Sequence, residues 1–525
     1  MTDSINQIVI VGGGSAGWLT AAIIAAEYET QPTADPVGIP LAITLIESPS
    51  ISTIGVGEGT WPSMRTTLQK IGITETEFIS RCDASFKQGT AFRNWHHSDD
   101  SGYVHPFTPP LGYEELDLAG HWLSHPHRPP FAEAVGTQAA VSKSHLAPKQ
   151  ITTPEYAFNV NYGYHLNAGK FAQLLQEHCV QRLGVHHVRA NVIGITSHEN
   201  GDIKALQTDT ANSIPGDLFI DCSGMNSLLL GTHYNIPFHD VDHILFNNSA
   251  IAAQIDYQNP TDPIESCTLS TAHSAGWIWD IGLPTRRGIG CVYSDQFMNR
   301  DQAAAKLKSY IASTVSPDAG NSAALREIRF NPGYRQKFWH RNCVAVGMAA
   351  GFIEPLEASA LVMVELSANM IATQLPADRS AMQRLEQQFN AKFEYRWHHI
   401  IEFLKLHYVL NERSDSDYWV QNRAASSIPD GLQTALKNWQ HRGPWHHETQ
   451  HADDLFPSAS YQYVLYGMGF APQPDPRLKR RAKDQAHRAM ALFKENEEMT
   501  RQLLAALPDN RSLIDKVGLH GFPKI

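Results

Sequence analysis

The first sixty residues alternate between short apolar runs, a glycine-rich turn and an alanine-rich segment. Residues 8–11 contain only isoleucine and valine, which is typical of a strand buried on both faces of a parallel sheet. A glycine-rich turn follows, and residues 18–27 then predict a helix. Residues 41–46 predict a second strand, which ends at Glu47. The three prolines between residues 30 and 40 indicate a loop inserted between the helix and this strand.

Later patterns separate an α/β part from a mainly helical part. Residues 96–150 are rich in proline, glycine and histidine and show no periodic apolar pattern, so we expect a functional loop or lid there. Residues 250–294 are predicted to be rich in strands, and the chain beyond residue 374 to be mainly helical. The pattern predicts an α/β nucleotide-binding domain over residues 1–370, including the insertion, and a helical domain over residues 371–525.

Charge and hydropathy narrow the classes of function. The 525 residues include 42 lysines and arginines against 53 acidic residues, a formal net charge of −11. A nucleic-acid-binding protein needs a basic face, so we expect no nucleic-acid partner. The start of the chain is polar, and no apolar run approaches the roughly 18 residues of a membrane span. We therefore expect a cytoplasmic protein without a membrane partner.

Cysteine and histidine usage predicts no metal site. The six cysteines are widely spread and form no C-x-x-C pair, which argues against a disulfide framework or a zinc ribbon. The 26 histidines include adjacent pairs at 96–97, 398–399 and 446–447. Neighbouring side chains on a helix or strand point in different directions, so we expect such pairs to be solvated and not to share a metal ion.

The turn after the first strand matches the dinucleotide fingerprint G-x-G-x-x-G. Gly12 permits the tight turn, Gly14 lets a pyrophosphate approach the backbone, and Gly17 lets the helix pack closely. The start of the helix then faces the phosphates, where exposed N–H groups favour an anion. Glu47 follows Gly17 by 30 residues and is placed to bind ribose hydroxyls. The cofactor contacts predicted here are Gly12, Gly14, Ser15, Ala16, Gly17 and Glu47.

Glycine-rich segments far from this turn favour FAD over NAD. They lie at residues 54–60, 221–224 and 347–352, and widely separated segments suit a long cofactor that extends across a domain. Each of them alone could be an ordinary turn. The further cofactor contacts predicted from them are Gly57, Glu58, Gly347 and Gly351.

Several motifs together resemble the flavin-dependent halogenases of the tryptophan-halogenase family. Besides the glycine fingerprint, the matching segments are residues 55–62, 84–89, 103–107, 220–224, 276–281, 354–360 and 466–469. The Trp-x-Trp-x-Ile element at residues 277–281 is the most specific of them. The resemblance implies an FAD-binding fold like that of glutathione reductase or p-hydroxybenzoate hydroxylase over residues 1–370, with the helical domain over residues 371–525 covering the substrate.

The resemblance also implies a reaction. Reduced FAD from a separate flavin reductase, together with O2 and chloride or bromide, yields hypohalous acid, which Lys87 directs to an electron-rich, indole-type ring. Glu357 matches the catalytic glutamate that assists the electrophile or takes the ring proton, with Glu354 as the competing candidate. Judged by residue type alone, Lys87 would be a solvated surface charge.

Further residues receive roles from the same resemblance. Backbone N–H groups of Ser359 and Ala360 would hold the halide, as an anion at a helix start. Trp277 and Trp279 alternate along a strand and would keep the substrate away from the flavin, although core packing explains them as well. The residues expected to bind the aromatic substrate are His105, Phe107 and Tyr461, of which Phe107 could equally be a core residue.

Departures from the family pattern leave the substrate open. Ala358 and Ala360 replace the serine and glycine of well-known members, which leaves the choice between chloride and bromide open. Gln462 stands between Tyr461 and Tyr463, whereas enzymes for free tryptophan use paired tyrosines for its carboxylate. A small aromatic compound or a peptide-borne indole is therefore as plausible as free tryptophan. The alternatives are an aromatic monooxygenase that needs no halide and a flavin-binding protein without turnover; a homodimer also stays open.

Overall fold

The protein is described by a computed structural model. It covers residues 4–28, 40–51, 57–99, 102–125, 127–210, 212–446, 454–473 and 479–524, without the side chains of 479–484. The chain divides into two compact units, each made from three separate segments. The first unit comprises Met1–Asp83, Leu166–Val241 and Phe330–Trp397; the second comprises Ala84–His165, Asp242–Arg329 and His398–Ile525.

The strands are numbered in chain order. They are β1 (Gln7–Val11), β2 (Ala42–Glu47), β3 (Glu58–Gly59), β4 (Ser85–Lys87), β5 (Gly89–Arg93), β6 (Tyr103–Pro106), β7 (Gly163–Leu166), β8 (His186–Arg189), β9 (Val192–Ser197), β10 (Ile203–Thr208), β11 (Ser213–Pro215), β12 (Leu218–Asp221), β13 (Phe238–Asp240), β14 (Ser249–Asp256), β15 (Thr268–His273), β16 (Gly276–Gly282), β17 (Arg286–Tyr293), β18 (Arg326–Arg329), β19 (Gly333–Arg335), β20 (Trp339–His340), β21 (Cys343–Ala345) and β22 (Gly351–Phe352).

The α-helices are numbered in the same way. They are α1 (Ser15–Glu27), α2 (Ser63–Ile71), α3 (Glu75–Cys82), α4 (Leu118–Leu123), α5 (Phe131–Val135), α6 (Gln138–Lys143), α7 (Ala168–Gln181), α8 (Arg300–Thr314), α9 (Pro317–Ser322), α10 (Ser359–Thr373), α11 (Arg379–Val409), α12 (Asp417–Asn422), α13 (Asp430–Trp439), α14 (Ser458–Gly467), α15 (Lys479–Ala506) and α16 (Asn510–His520).

The first unit contains, within the described residues, a six-stranded sheet of order β20-β21-β12-β1-β2-β8. Strands β21, β12, β1, β2 and β8 pair in parallel, and only β20 at the edge is antiparallel. Ile8, Val9 and Ile10 are completely or almost completely buried, as expected for an apolar strand inside a parallel sheet. Helix α1 packs against α7 and α10. The predicted first strand, helix and second strand are thereby confirmed.

The second unit contains, in its described part, a seven-stranded sheet of order β18-β14-β17-β16-β15-β5-β6. Its strands pair antiparallel except β15 and β5, which run in parallel. The strands β14 to β17 confirm the strand-rich block predicted over residues 250–294. The helices α11, α13 and α15 confirm the helical character of the chain beyond residue 374. The domain boundary predicted at residue 370 falls inside α10, where the chain stays within the first unit.

The prediction of a loop or lid over residues 96–150 is wrong in its structural part. The described residues of this segment form β6, α4, α5 and α6. Their buried apolar side chains belong to one hydrophobic cluster with residues of α14 and α15, including Trp122, Phe131, Tyr463, Tyr466 and Leu492. Helices of five or six residues are too short to show the apolar period on which a sequence prediction depends. No helix in the described part of the chain is long and apolar enough to cross a membrane.

Candidate active site

The glycine turn, residues 12–17 between β1 and α1, uses its three fingerprint glycines differently. Gly12 has φ +122°, and a Cβ atom there would lie 2.1 Å from the carbonyl oxygen of Cys222. A Cβ atom at Gly17 would lie 1.9 Å from the carbonyl oxygen of Gly12. At Gly14, by contrast, a Cβ atom would meet nothing within 4 Å. Gly12 and Gly17 therefore permit packing within the protein, while Gly14 leaves its backbone open to a bound molecule.

The start of helix α1 supplies backbone donors at this turn. Gly14 is the N-cap residue and has no side chain that could accept from the first-turn N–H groups. Ser15 uses its hydroxyl elsewhere, donating to the carbonyl oxygen of Ala168 over 3.3 Å. Gly347 lies beside the same helix start, because a Cβ atom built on it would be 2.9 Å from Cβ of Ala16. The structure thus brings two separate predicted cofactor segments together, and an anion would suit the helix start.

Glu47 lies at the end of β2, over the glycine turn. A Cβ atom at Gly13 would be 2.3 Å from Cδ of Glu47, so only glycine leaves room for this carboxylate. His187, on the neighbouring strand β8, places Nε2 2.9 Å from Oε2 of Glu47. The imidazole of His187 also packs edge-on against Trp18, with 5.0 Å between the ring centroids. The cradle formed by the glycine turn and Glu47 fits an adenine dinucleotide such as FAD.

The glycine-rich segment at residues 54–60 is described only from Gly57 onward. Gly57 is buried, and burial raises the pKa of Glu58 to about 7. Trp61 then donates from its indole Nε1 to the backbone carbonyl oxygen of Glu357 over 2.8 Å. This hydrogen bond links the segment after Gly57 to the predicted catalytic glutamate within the first unit.

Glu357 and its neighbours form the turn that leads into α10. The side chains of Glu354 and Glu357 are both buried, with 1% and 5% exposure, so burial does not distinguish the two candidates. Ala358 is the N-cap residue and adopts a left-handed conformation with φ +54°. Ser359 and Ala360 are the first helical residues, and no side chain caps the described start of this helix. N–H groups at such an uncapped helix start are of the kind that binds an anion, and the assignment of a halide to them stays a prediction.

Lys87 lies at the end of β4, which pairs antiparallel with β7. Only 1% of the residue is exposed, so the interpretation as a solvated surface charge is wrong. Its Nζ lies 5.5 Å from the ring centroid of Phe107, a cation–π distance. Burial and the positive charge of Lys87 lower the pKa of His165 well below its usual range. A buried lysine thus lies over an aromatic ring, beside a histidine that favours its neutral form.

The lysine segment, residues 85–89, is fixed by hydrogen bonds to distant parts of the second unit. Gln88 donates its backbone N–H to the carbonyl oxygen of Ser266 over 2.7 Å and its side-chain amide to that of Leu146 over 2.7 Å. Phe107 donates its backbone N–H to the carbonyl oxygen of Gln88 over 3.3 Å. At Gly89, with φ +149°, a Cβ atom would lie 2.3 Å from the carbonyl oxygen of His105. These contacts hold the lysine segment against the predicted substrate residues.

His105 and Tyr461 share one aromatic neighbour, Phe403 of helix α11. The His105 ring centroid lies 5.7 Å from that of Phe403 and 6.2 Å from that of Tyr463. Tyr461 packs edge-on against Phe403 at 5.0 Å and also contacts Trp439 at 5.4 Å. The structure therefore brings two predicted substrate residues into one aromatic group. Phe403 was not predicted, because one phenylalanine in a long helix carries no signal of its own.

Three side chains fix the backbone beside Phe107. Tyr463 donates its hydroxyl to the carbonyl oxygen of Thr108 over 2.9 Å. Asn161 donates its amide to the carbonyl oxygen of Phe107 over 3.1 Å, and Gln138 accepts from the N–H of Thr108 over 2.7 Å. These hydrogen bonds fix the backbone that carries the ring of Phe107. Tyr463 could have been suspected from its place two residues after Tyr461.

The side chain of Gln462 is buried and forms hydrogen bonds within the protein. It is 1% exposed and donates its amide to Asp117 over 3.1 Å and to the carbonyl oxygen of Pro444 over 2.8 Å. This position thus connects helix α14 with the insertion before α4, where a tyrosine was expected in an enzyme for free tryptophan.

Trp277 and Trp279 lie on β16 with their rings next to each other, as their alternation predicts. The ring centroids are 6.3 Å apart, and both residues are buried. Gly290 is the direct partner of Trp279 on β17. A Cβ atom at Gly290 would lie 2.1 Å from Cζ2 of Trp279, so this glycine provides the space for the indole. The partner of Gly290 could not be predicted from the sequence, because this role exists only once the strands are paired.

The directional rule applied above to adjacent histidines does not hold for His96 and His97, while the expectation that such pairs share no metal ion stays a prediction. The rings of His96 and His97 do not diverge; their centroids are 4.0 Å apart. Both lie in a bend outside helices and strands, where the directional rule for neighbouring side chains does not apply.

Comparison with known proteins identifies relatives that match over the whole chain. The family model described as tryptophan halogenase matches residues 7–484. Tryptophan 6-halogenase ThaL of Streptomyces albogriseolus is 30% identical, with 99% of this chain and 100% of that protein aligned. A tryptophan halogenase structure from Shewanella frigidimarina gives a TM-score of 0.95 at 49% identity, with 99% of each chain covered. BrvH, a flavin-dependent halogenase from a Brevundimonas species, gives 0.83 at 29% identity, with 98% of this chain and 99% of that chain covered. The predicted FAD-binding fold with a helical C-terminal part is thereby confirmed.

Proposed function

The chain belongs to the tryptophan halogenase family, and from this premise we propose that it halogenates an electron-rich, indole-type arene with chloride or bromide. The observation that supports this most directly is the buried Lys87, which is 1% exposed and faces the ring of Phe107. A lysine that is buried in this way has a large desolvation cost when it is charged. Such a group suits the positioning of a reactive electrophile beside an arene.

The glycine turn and Glu47 are the residues proposed to hold FAD. The open backbone at Gly14 and the uncapped start of α1 would accept the pyrophosphate, and Glu47 would bind the ribose hydroxyls. Bound FAD, reduced by a separate flavin reductase, would supply the two electrons with which O2 oxidises the halide to hypohalous acid, while the second oxygen atom leaves as water. The N–H groups of Ser359 and Ala360 would hold the halide at the start of α10.

Lys87 is proposed to direct the electrophilic halogen. As an ammonium, it donates a hydrogen bond to the oxygen of the hypohalous acid, which increases the electrophilicity of the halogen and lets the oxygen leave as water when the O–halogen bond breaks. As an amine, it forms a haloamine with loss of water and is regenerated when the halogen passes to the ring carbon. In both routes the ring carbon gains the halogen and loses a proton. The hydrogen bonds of Gln88 fix the lysine segment, so the donor does not need to be ordered during the reaction.

Glu357 is proposed to take the proton that the ring loses. A carboxylate acts as a general base when its position is fixed, and the Trp61 indole fixes the backbone of Glu357. Glu354 is equally buried and remains the competing candidate. Glu357→Gln and Glu354→Gln, compared in the same assay, separate the two: the residue whose loss slows halogenation more is the base.

The substrate is proposed to bind through His105, Phe107 and Tyr461. These residues, with Phe403, offer aromatic faces that suit an indole. Two of the relatives named above are described as tryptophan halogenases. Gln462, however, is occupied within the protein and replaces a tyrosine of the carboxylate-binding pair. We therefore propose an indole without the free amino-acid group, either as a small molecule or within a peptide.

The experiment is halogenation of an indole panel with FAD, a flavin reductase, NADH and either chloride or bromide, followed by mass spectrometry. We expect Lys87→Met to lose roughly a thousandfold in rate. Flavin binding, followed by fluorescence, should be unchanged. Lys149→Met is the matched control, because Lys149 is also buried in the second unit, over the ring of Phe522 at 3.9 Å. It should halogenate normally per folded molecule.

Two outcomes would contradict the proposal. A halogen mass shift that persists in Lys87→Met would exclude the assigned role of the lysine. Hydroxylated product that forms equally fast in halide-free buffer would identify an aromatic monooxygenase instead.

A further inference from the structure

We propose that His96, His97 and Glu412 form a zinc site on the surface of the second unit. Nε2 of His96 lies 3.5 Å from Oε1 of Glu412, and Nε2 of His97 lies 3.8 Å from Oε2. One ligand atom from each residue lies within 4.8 Å of the others. Two imidazoles and one carboxylate are a typical donor set for Zn²⁺.

The distances fit a tetrahedral metal better than direct contact between the side chains. With metal–ligand bonds of about 2.0–2.2 Å, two ligands of a tetrahedral zinc ion are about 3.3–3.6 Å apart. The two separations, each to a different oxygen of Glu412, are within this range or a few tenths of an ångström longer, whereas good charged hydrogen bonds are about 2.7–2.9 Å. A metal ion between the three residues would therefore need only small side-chain movements.

The backbone holds the two parts of the site together. Glu412 donates its N–H to the carbonyl oxygen of His96 over 2.9 Å. Arg413, the next residue, donates to the carbonyl oxygen of Asn94 over 2.8 Å, and Asn94 has φ +61°, which forms the bend before the histidines. The ligands are thus positioned before a metal binds, which reduces the entropy cost of binding.

Gly469 provides the space for one of the ligands. Its φ is +76°, and a Cβ atom there would lie 2.9 Å from Cε1 and 3.3 Å from Nε2 of His96. The imidazole of His96 therefore packs on the glycine backbone. Gly469→Ala should displace His96 and weaken the site without removing a ligand.

The surroundings of the three residues indicate which metal ion they would bind. His97 and Glu412 are exposed, with side-chain exposures of 49% and 67%, so water can complete the coordination. The nearby positive charge of Arg413 is balanced by Asp415, whose Oδ2 lies 2.7 Å from its guanidinium. Imidazole nitrogens disfavour Ca²⁺ and Mg²⁺, which prefer oxygen ligands. Zn²⁺ is the expected metal, and Ni²⁺ and Cu²⁺ should compete for the same ligands.

The site would tie the segment after β5 to the segment after α11. His96 and His97 lie between β5 and β6, the antiparallel pair that carries Gly89 and His105. Bound zinc should therefore raise the unfolding temperature of the second unit, since it binds only the folded arrangement. This role does not depend on the proposed halogenation and differs from it in its test.

The test is calorimetric titration of the full chain, without an affinity tag and after treatment with a chelator, with ZnCl₂ alone. We expect one zinc ion per chain at this site, an affinity at least tenfold lower in Glu412→Gln and in His96→Gln, and a zinc-dependent rise in unfolding temperature that is smaller in these two variants than in the wild type. His243→Gln is the matched control, because His243 is exposed and has one carboxylate, Asp242, at 4.0 Å. It should bind zinc like the wild type.

A zinc-binding measurement on the wild type is sufficient to overturn the proposal. Failure of the untagged chain to bind zinc at micromolar concentration would do so, even if a variant did not fold. Equal zinc affinity in the wild type and a folded Glu412→Gln would do the same, because binding would then reside in other histidines.

Discussion

The glycine turn and the lysine segment are assembled in opposite ways. In the glycine turn, Gly12, Gly14 and Gly17 are almost consecutive, and their different roles follow from one strand, one turn and one helix. In the lysine segment, by contrast, Gln88 is held by Leu146 and Ser266, which lie 58 and 178 positions further along the chain.

This difference decides whether each region can be recognised from the sequence alone. A local motif can be recognised from residue types, since its geometry depends on neighbours in the chain. A buried lysine can be recognised only when its distant partners are known, because a lysine is exposed by default. Substitutions in the two regions should therefore have effects that separate clearly in a cofactor assay and a stability assay.

The largest effect is expected for Gly12→Val in the glycine turn. The new Cβ would lie 2.1 Å from a backbone oxygen of Cys222, and φ of +122° is unfavourable for valine. We expect FAD binding to weaken at least a hundredfold and the free energy of unfolding to fall by about 3 kcal/mol or more. Flavin fluorescence titration and denaturant unfolding measure the two quantities.

Gly14→Ala is the control that sharpens this result. The space around Gly14 is open and its backbone is extended, so the free energy of unfolding should stay within about 0.5 kcal/mol of the wild type. FAD binding should still weaken, because the methyl group would point to where the pyrophosphate is proposed to lie. If Gly14→Ala bound FAD normally and Gly12→Val lost only stability, the glycine turn would not be the cofactor site.

How much of the fold could be predicted from the sequence depends on the same difference between local and distant contacts. Helix α1 was predicted at residues 18–27 and begins at Ser15, because the last part of the glycine turn already belongs to the helix. The parallel strands were predicted because apolar runs need no partner to be recognised. The helices α4 to α6 were missed because each has fewer than two turns, and their apolar residues are buried by helices more than 300 positions away.

Individual residues of the candidate active site also escape prediction when their partners are distant in the chain. Lys87 was selected by resemblance, and its burial against Phe107 could not be derived from its neighbours. His187 and Gly290 were missed because each acts across a strand pair, on Glu47 and Trp279 respectively. Glycine in a strand is the one signal that was available for Gly290, since it marks close approach of another group.

The second largest effect is expected for Gln88→Leu in the lysine segment. Gln88 is completely buried, and the change removes its side-chain hydrogen bond to the carbonyl oxygen of Leu146. We expect the free energy of unfolding to fall by about 2–3 kcal/mol. Halogenation should fall while FAD affinity stays unchanged. Gly14→Ala, in contrast, should weaken FAD binding and leave the free energy of unfolding nearly unchanged. Denaturant unfolding, flavin titration and the halogenation assay measure these effects.

A loss of FAD affinity in Gln88→Leu as large as its loss of halogenation would contradict the separation of the two regions. Gln433, which is only half-buried and donates to the carbonyl oxygens of Ala425 and Ile428, offers a control, and Gln433→Leu should cost less stability than Gln88→Leu.

The third effect concerns a distant contact inside the first unit. Glu365 of α10 accepts from Ser63 over 3.0 Å and from Thr67 of α2, and burial raises its pKa from 4.5 to about 7. Its pKa is higher in the folded than in the unfolded chain, so its stabilising contribution is complete below about pH 4.5 and is lost as the pH rises through about 7. Glu365→Gln stays neutral and should escape this loss.

We therefore expect the free energy of unfolding to depend on pH differently in the wild type and in Glu365→Gln. Between pH 5.5 and 8, the free energy of unfolding of Glu365→Gln should gain about 2 kcal/mol relative to the wild type. Denaturant unfolding at both pH values measures it. A constant difference between the two proteins would show that Glu365 ionises normally.

The smallest effect is expected for Tyr463→Phe, which tests the positioning of Phe107. The change removes only the hydroxyl that donates to the carbonyl oxygen of Thr108, so the free energy of unfolding should fall by about 1 kcal/mol. Tyr113→Phe is the matched control, since it removes a buried hydroxyl that bonds to Ser458 over 2.6 Å. The two variants should lose similar stability. Only Tyr463→Phe should raise KM for the arene, by roughly threefold, because its hydrogen bond fixes the segment that carries the ring; equal KM values would assign Tyr463 to packing alone.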